Sequence, residues 1–213
     1  MNLTMNFKKA KEAIEKFGFV LVFPIKNKTQ PNSIWNVLHP HSEMRWEWDT
    51  SGDNRLFDLW RLREQLASSH KVVYGKYYQG RATFFSKSVF TDLLAIKGSH
   101  EAHFKFRESK VILETLEMDS PLSTKSLKEL SGLKGKFLES QYSKSMKELW
   151  KSLSIVGLGE INDGAFPSLA HGATQTVFEE LWINSTNTDI AEAWLRLCEL
   201  PEFDLLEKNF LQE

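Results

Sequence analysis

One cysteine in 213 residues leaves no partner for an internal disulfide. Cys198 therefore excludes a disulfide-scaffolded secreted domain. It shares an apolar helical face with Ile190, Trp194 and Leu197, which favours a core position over a nucleophile. Apolar runs are short, and none approaches the roughly 18 residues of a membrane span. Met1-Asn2-Leu3-Thr4 leads into Lys8, Lys9, Lys11 and Glu12, with no apolar segment of signal-peptide length. The expected compartment is therefore the cytoplasm, with no membrane partner. Gly-x-Gly-x-x-Gly, P-loop, Gly-x-Ser-x-Gly and His-Glu-x-x-His patterns are all missing, as are internal repeats and low-complexity tracts. No enzyme active site can be read from the residues.

Bulk and aromatics are present in quantity. The length allows one large or two small domains with a real core. Hydrophobic residues at 41% and charged residues at 26% exclude wholesale disorder, and 15 Phe with 7 Trp point to a bulky aromatic interior. The net charge of −1 conceals an uneven distribution. Residues 1–96 hold 14 Lys+Arg against 9 Asp+Glu, residues 97–151 hold 11 against 8, and residues 152–213 hold 2 against 11. The three parts thus carry +5, +3 and −9. A basic face with an acidic tail gives this pattern, and so do helices of differing surface charge.

Phe7, Ala10, Ala13, Ile14 and Phe17 recur at helical spacing, with Asn6 as the cap and Gly18 as the stop. Phe19 to Phe23 is a strand-type run, and residues 26–33 are loop-like. Ile34 to Asp53, with Trp35, Trp46 and Trp48, gives no clear pattern. Asp58 to Ser68 is helical. Val72 to Tyr78 and Arg81 to Ser86 flank Gln79-Gly80 as a hairpin, although Gln disfavours the positive φ of such a turn. Ser86 caps a helix that ends at Gly98. The polar stretch Lys97 to His103 marks the expected boundary between an N-terminal α+β subdomain (1–98) and a second domain (99–183). Residues 184–213 form an acidic helical C-terminus.

The second domain reads as a helix over 105–118, a break at Asp119-Ser120-Pro121, and a short helix capped by Ser123. A turn at Lys134-Gly135-Lys136 leads into a long helix over about Phe137 to Leu153. Strands over Ile155–Glu160 and Thr174–Phe178 follow, around a turn at Asn162-Asp163-Gly164. That order is the order of a winged helix, in which the third helix commonly enters the major groove. The expected fold class is therefore α+β, a winged-helix (helix-turn-helix) domain with a helix-and-hairpin subdomain before it.

Opposite the apolar stripe of the long helix, Ser140, Lys144, Lys147 and Lys151 share one face. These lysines, with Lys134 and Lys136 in the turn, can contact phosphates, and Ser140 and Gln141 can reach base edges. A solvated helix face is the alternative. The wing, residues 155–178, contains no Lys or Arg, which counts against a phosphate grip there. In the hairpin, Lys76 and Arg81 stand among Tyr74, Tyr77, Tyr78, Phe84 and Phe85. That interleaving suits a nucleic-acid strand, but an inward-packed hairpin explains the aromatics better. His39-Pro40-His41 with Glu43, and His100 with His103, invite a metal reading. The intervening proline and the lack of a nearby cysteine argue against zinc, so no metal or other cofactor is expected.

Asp58-Leu59-Trp60-Arg61, then Tyr74-Gly75-Lys76-Tyr77-Tyr78-Gln79-Gly80-Arg81 and Phe84-Phe85-Ser86, resemble small AlkZ-related proteins. These are relatives of the winged-helix glycosylases that repair DNA crosslinks. Their pattern runs Trp-Arg, Tyr-Gly-Lys-Phe-Phe-x-Gly-Lys, Phe-Ile-Ser. The likeness continues through Leu122-Ser123-Thr124-Lys125-Ser126-Leu127 and Leu130-Ser131-Gly132 to Phe137, covering roughly residues 55–160. It implies winged-helix architecture and a DNA-related role. The glycosylases position their water with a Gln-x-Gln or Gln-x-Asp element, and none of the candidates here fits. Those are Gln30-Pro31-Asn32, Gln65-Leu66-Ala67, Gln79-Gly80-Arg81, Gln141-Tyr142-Ser143 and Gln175-Thr176-Val177. The leading expectation is a non-enzymatic binder of double-stranded DNA. A scaffold that contacts another protein comes second, and a glycosylase with a divergent site third.

Overall fold

The computed structural model describes residues 3–45, 54–99 and 102–211. Trp46, Trp48 and His100 lie outside the described residues. The fold is α+β, with 11 α-helices and a six-stranded antiparallel sheet among the described residues.

Helix α1 (Leu3–Phe17) carries its apolar stripe inward and ends at Gly18, whose φ of +76° suits glycine. The helix begins before Asn6, so Asn6 sits buried in its first turns and does not cap it. Strand β1 (Phe19–Leu21) follows, then α2 (Ile34–Leu38), capped by Ser33, and α3 (Arg55–Ser68). The hairpin is shorter than its aromatic runs. Strands β2 (Val73–Gly75) and β3 (Thr83–Phe85) enclose a 3-10 turn at Tyr78–Gly80 that holds Gln79 at φ +50°. The turn imposes the conformation that glutamine disfavours. Ser86 accepts from the Val89 amide and caps α4 (Lys87–Lys97), which Gly98 closes in the left-handed region.

Alternation along β1, β2 and β3 sends side chains to two separate layers. Phe19, Leu21, Val73 and Phe85 pack with Phe90, Leu93 and Leu94 of α4. Val20, Tyr74 and Phe84 face Ala10 and Ile14 of α1 and Leu59, Leu62 and Leu66 of α3. Both faces of this half-sheet are therefore buried, and each large apolar side chain there contributes about 1.5–3 kcal/mol.

Helix α5 (Arg107–Met118) is followed by β4 (Leu122–Ser123). Next come α6 (Thr124–Leu130), capped by Ser123, and α7 (Glu139–Lys151). Ile112, Leu116, Leu127, Tyr142, Met146 and Leu149 of the three helices share one core with Ile155 and Ala173. Strands β5 (Ile155–Ile161) and β6 (Ser168–Ala173) then form a hairpin. The second strand thus lies earlier than its sequence pattern suggests. Thr174 to Val177, read above as strand, is the short helix α8, because Thr174 turns the chain by bonding its hydroxyl to the Leu153 carbonyl at 2.5 Å.

The strand order is β1-β3-β2-β5-β6-β4, so one sheet runs through both halves of the chain. The join is the pairing of Tyr74 with Gly157. A Cβ at Gly157 would stand 2.3 Å from Cδ1 of Tyr74, so glycine is what permits the two hairpins to meet.

The acidic C-terminal part docks on the first half. Helices α9 (Glu179–Thr186), α10 (Ile190–Cys198) and α11 (Phe203–Leu211) place Leu181, Leu197 and Leu206 in the α4 layer. Arg196 pairs with buried Asp92 at 2.7 Å, and Glu202 accepts from the Asn32 amide at 3.0 Å. Cys198, expected in the core, is exposed. Helix α10 buries Ala193 and Leu197, and Cys198 lies one step round the helix from that stripe.

Candidate nucleic-acid interface

Helix α7 is amphipathic, and its outer face gains cationic character from what happens to its two acids. Glu148 accepts hydrogen bonds from the backbone amides of Lys105 (2.7 Å) and Phe106 (3.3 Å) and from the Ser109 hydroxyl, so it satisfies the start of α5. Glu139 takes the Lys128 ammonium at 2.8 Å. Lys144, Lys147 and Lys151 are exposed, and none forms an ion pair among the described residues. Ser140 and Gln141 are exposed in the first turn of the same helix.

The other residues singled out in the sequence divide. Lys76 leaves the end of β2 and joins Lys147 and Lys151 around a cleft of about 720 Å³. Its ammonium lies 6.0 Å from the Trp150 ring centre. Burial, then the charge of Arg63, lowers its pKa. Arg81 is exposed beyond the 3-10 turn and is not among the residues lining that cleft. Lys134 is engaged by Glu129. Lys136 is exposed in the turn before α7. The hairpin aromatics Tyr74, Tyr77, Tyr78, Phe84 and Phe85 are all buried, which settles them as core. His39 packs its ring against Trp35, 4.7 Å between centres.

Sequence reasoning missed three groups here. Lys97, at the end of α4, shares a second groove with Lys144, Lys147 and Lys151, on the other flank of α7. Its ammonium sits 5.2 Å from the Tyr77 ring centre, and burial, then the neighbouring charge of Lys151, pulls its pKa down to about 8. The second is His171, buried on β6 with its ring 5.8 Å from Trp150. Burial, then the charge of Lys76, depresses its pKa to about 4, so it is neutral at pH 7. The third is Tyr142, whose hydroxyl is buried and whose pKa burial raises, with Glu139 adding to the shift. Among the described residues, the Tyr142 hydroxyl and His171 Nδ1 have no hydrogen-bond partner. Helical spacing placed Tyr142 on the apolar stripe without signalling its orphaned oxygen. His171 lay in a stretch assigned to no element.

The arrangement is a cationic ridge, Lys144–Lys147–Lys151, between two grooves. Its chemistry suits an anion spread over several contacts. No curated protein and no solved structure matches the chain. A family model described as AlkZ related matches residues 4–202, a longer span than the motifs alone reach. The chain belongs to the AlkZ-related family.

Proposed function

We propose that the protein binds double-stranded DNA through the outer face of α7, as a winged-helix module without glycosylase activity. The order α5-β4-α6-α7-β5-β6 and the core shared by the three helices support the winged-helix reading. In that fold the third helix presents side chains to the major groove. The observation that carries the proposal is that both acids of α7 are engaged, Glu139 by the Lys128 ammonium at the surface and Glu148 by the start of α5, which leaves three lysines on the ridge. Lys144, Lys147 and Lys151 contact phosphates, while Ser140 and Gln141 reach towards base edges. The sequence carries no Gln-x-Gln or Gln-x-Asp element, and this supports a module without glycosylase activity.

The test is duplex binding by fluorescence anisotropy across a salt series. Each phosphate contact removed by Lys144→Ala or Lys147→Ala flattens the log–log salt slope by about one unit and weakens all sequences alike. Ser140→Ala instead changes sequence preference. Affinity no better than roughly 10⁻⁴ M at low salt for the unmodified protein refutes the proposal. A scaffold role is the second reading, and one observation favours it. The loop between β5 and β6 carries no cation and exposes Phe166, an apolar group suited to a protein partner.

A further inference from the structure

The cleft beside the ridge differs chemically from the ridge itself. Its rim carries Lys76, Lys147 and Lys151, and among the described residues no carboxylate lines it. Its floor is aromatic and thioether, from Trp150, Tyr142 and Met146, all nearly buried and held by the core of α7. Tyr142 is 5% exposed and His171 4% exposed, and each keeps a polar atom with no partner among the described residues. The volume of about 720 Å³ lies within the range of ligand sites, roughly 300–1,000 Å³.

Each feature narrows the ligand. Three cations without an acid exclude a cationic ligand and select an anion. An aromatic and thioether floor gives a plain inorganic anion nothing to contact, but suits a flat ring with apolar faces. Orphaned polar atoms at that depth call for donors and acceptors on the edge of the ring. Neutral His171 and the un-ionised Tyr142 hydroxyl can each donate or accept, whereas the ammonium groups only donate. A nucleobase bearing a phosphate combines these properties, and paired bases inside a duplex do not present them.

We infer that this cleft takes up one unpaired nucleotide, with the base directed to Trp150, Tyr142 and His171 and the phosphate on Lys76, Lys147 and Lys151. Where the nucleotide comes from a strand, the inference rests on the proposed binding of DNA. The same chemistry also admits a free mononucleotide. The cleft lies along the ridge that would track the strand, so a base extruded from the duplex needs no second attachment point.

The full-length protein is titrated with a fully paired duplex, the same duplex bearing a single unpaired adenosine, and free dAMP, with inorganic phosphate as competitor. The expected result is a preference of about tenfold or more for the duplex with the unpaired base, which is 1.4 kcal/mol. Ser143→Trp, at an exposed position lining the cleft, fills the space without touching the core and brings that ratio to one. Saturable binding of dAMP that Ser143→Trp abolishes also supports the cleft and identifies free nucleotides as a source. Equal affinity for the two duplexes, together with no dAMP binding, overturns the inference and leaves the ridge reading standing. Displacement of dAMP by inorganic phosphate at equal concentration also overturns it, since the base then contributes nothing. Binding of dAMP with no affinity for either duplex refutes the DNA reading and leaves the cleft.

Discussion

Acid should weaken this fold through His171. The ring is buried against Trp150, and burial, then the charge of Lys76, holds its pKa at about 4 against 6.5 for a free side chain. Between those values the unfolded chain binds a proton that the folded chain refuses. Stability is therefore full above pH 6.5 and is lost as the pH falls towards 4. Integrating the proton-binding difference from pH 7 to pH 5 gives a loss of about 2 kcal/mol from this residue alone. The perturbation is His171→Phe, which keeps a ring of similar shape and removes the titration. Urea unfolding of both proteins at pH 7 and pH 5 yields four free energies. Their double difference cancels the packing change and any hydrogen bond lost at both pH values. The variant should lose about 2 kcal/mol less than the parent over this interval. Equal losses would mean that His171 is protonated without penalty, and that water or a rearranged neighbour reaches it.

Two further outcomes follow from the backbone. Gly157→Ala forces a Cβ to within 2.3 Å of Tyr74 Cδ1 and should cost about 1–3 kcal/mol in chemical denaturation; a change below about 0.5 kcal/mol would mean that β2 and β5 meet differently. Gln79→Gly relieves the left-handed conformation at φ +50° and should raise stability by about 1 kcal/mol, measured the same way; a loss would show that the glutamine side chain holds the turn.

Much of the fold was legible because local signals and tertiary packing agree. Ser86 and Ser123 stand where caps were expected, and each accepts from an amide three residues on. The four-and-three spacing of Tyr142, Met146 and Leu149 marked the buried stripe of α7 correctly. The failures came where tertiary structure overrides local preference. Thr174–Val177 has β-branched residues, yet it is helical, because the Thr174 hydroxyl is committed to the Leu153 carbonyl. Cys198 has apolar neighbours at helical spacing, yet the docked stripe of α10 leaves it outside. The lysines of α7 were visible as a face. The cleft was not, because its residues come from the turn after β2 and from α6, α7 and β6, and no sequence window spans them.

That composite origin links the sheet to the candidate site. Lys76 reaches α7 because β2 pairs with β5, and β5 follows α7 directly in the chain. The pairing depends on the space above Gly157, which the Tyr74 ring fills. Tyr74 in turn lies 5.9 Å from the Arg63 guanidinium, and Arg63 is paired with Glu160 of β5. The Arg63–Glu160 pair is nearly buried, and breaking such a pair costs about 3–5 kcal/mol because the remaining charge stays desolvated. A half-buried Lys76 therefore stands on a chain of contacts that resist deformation: Arg63 and Glu160 fix β5, Gly157 admits Tyr74, and Tyr74 fixes β2. A lysine held this way loses little conformational entropy when an anion arrives, whereas the exposed Lys144 on the ridge must still be ordered. On the proposed reading, a cleft lysine braced by its neighbours and ridge lysines free of ion pairs among the described residues suit a stepwise encounter, in which phosphate contacts on the ridge come first and the recess is engaged afterwards.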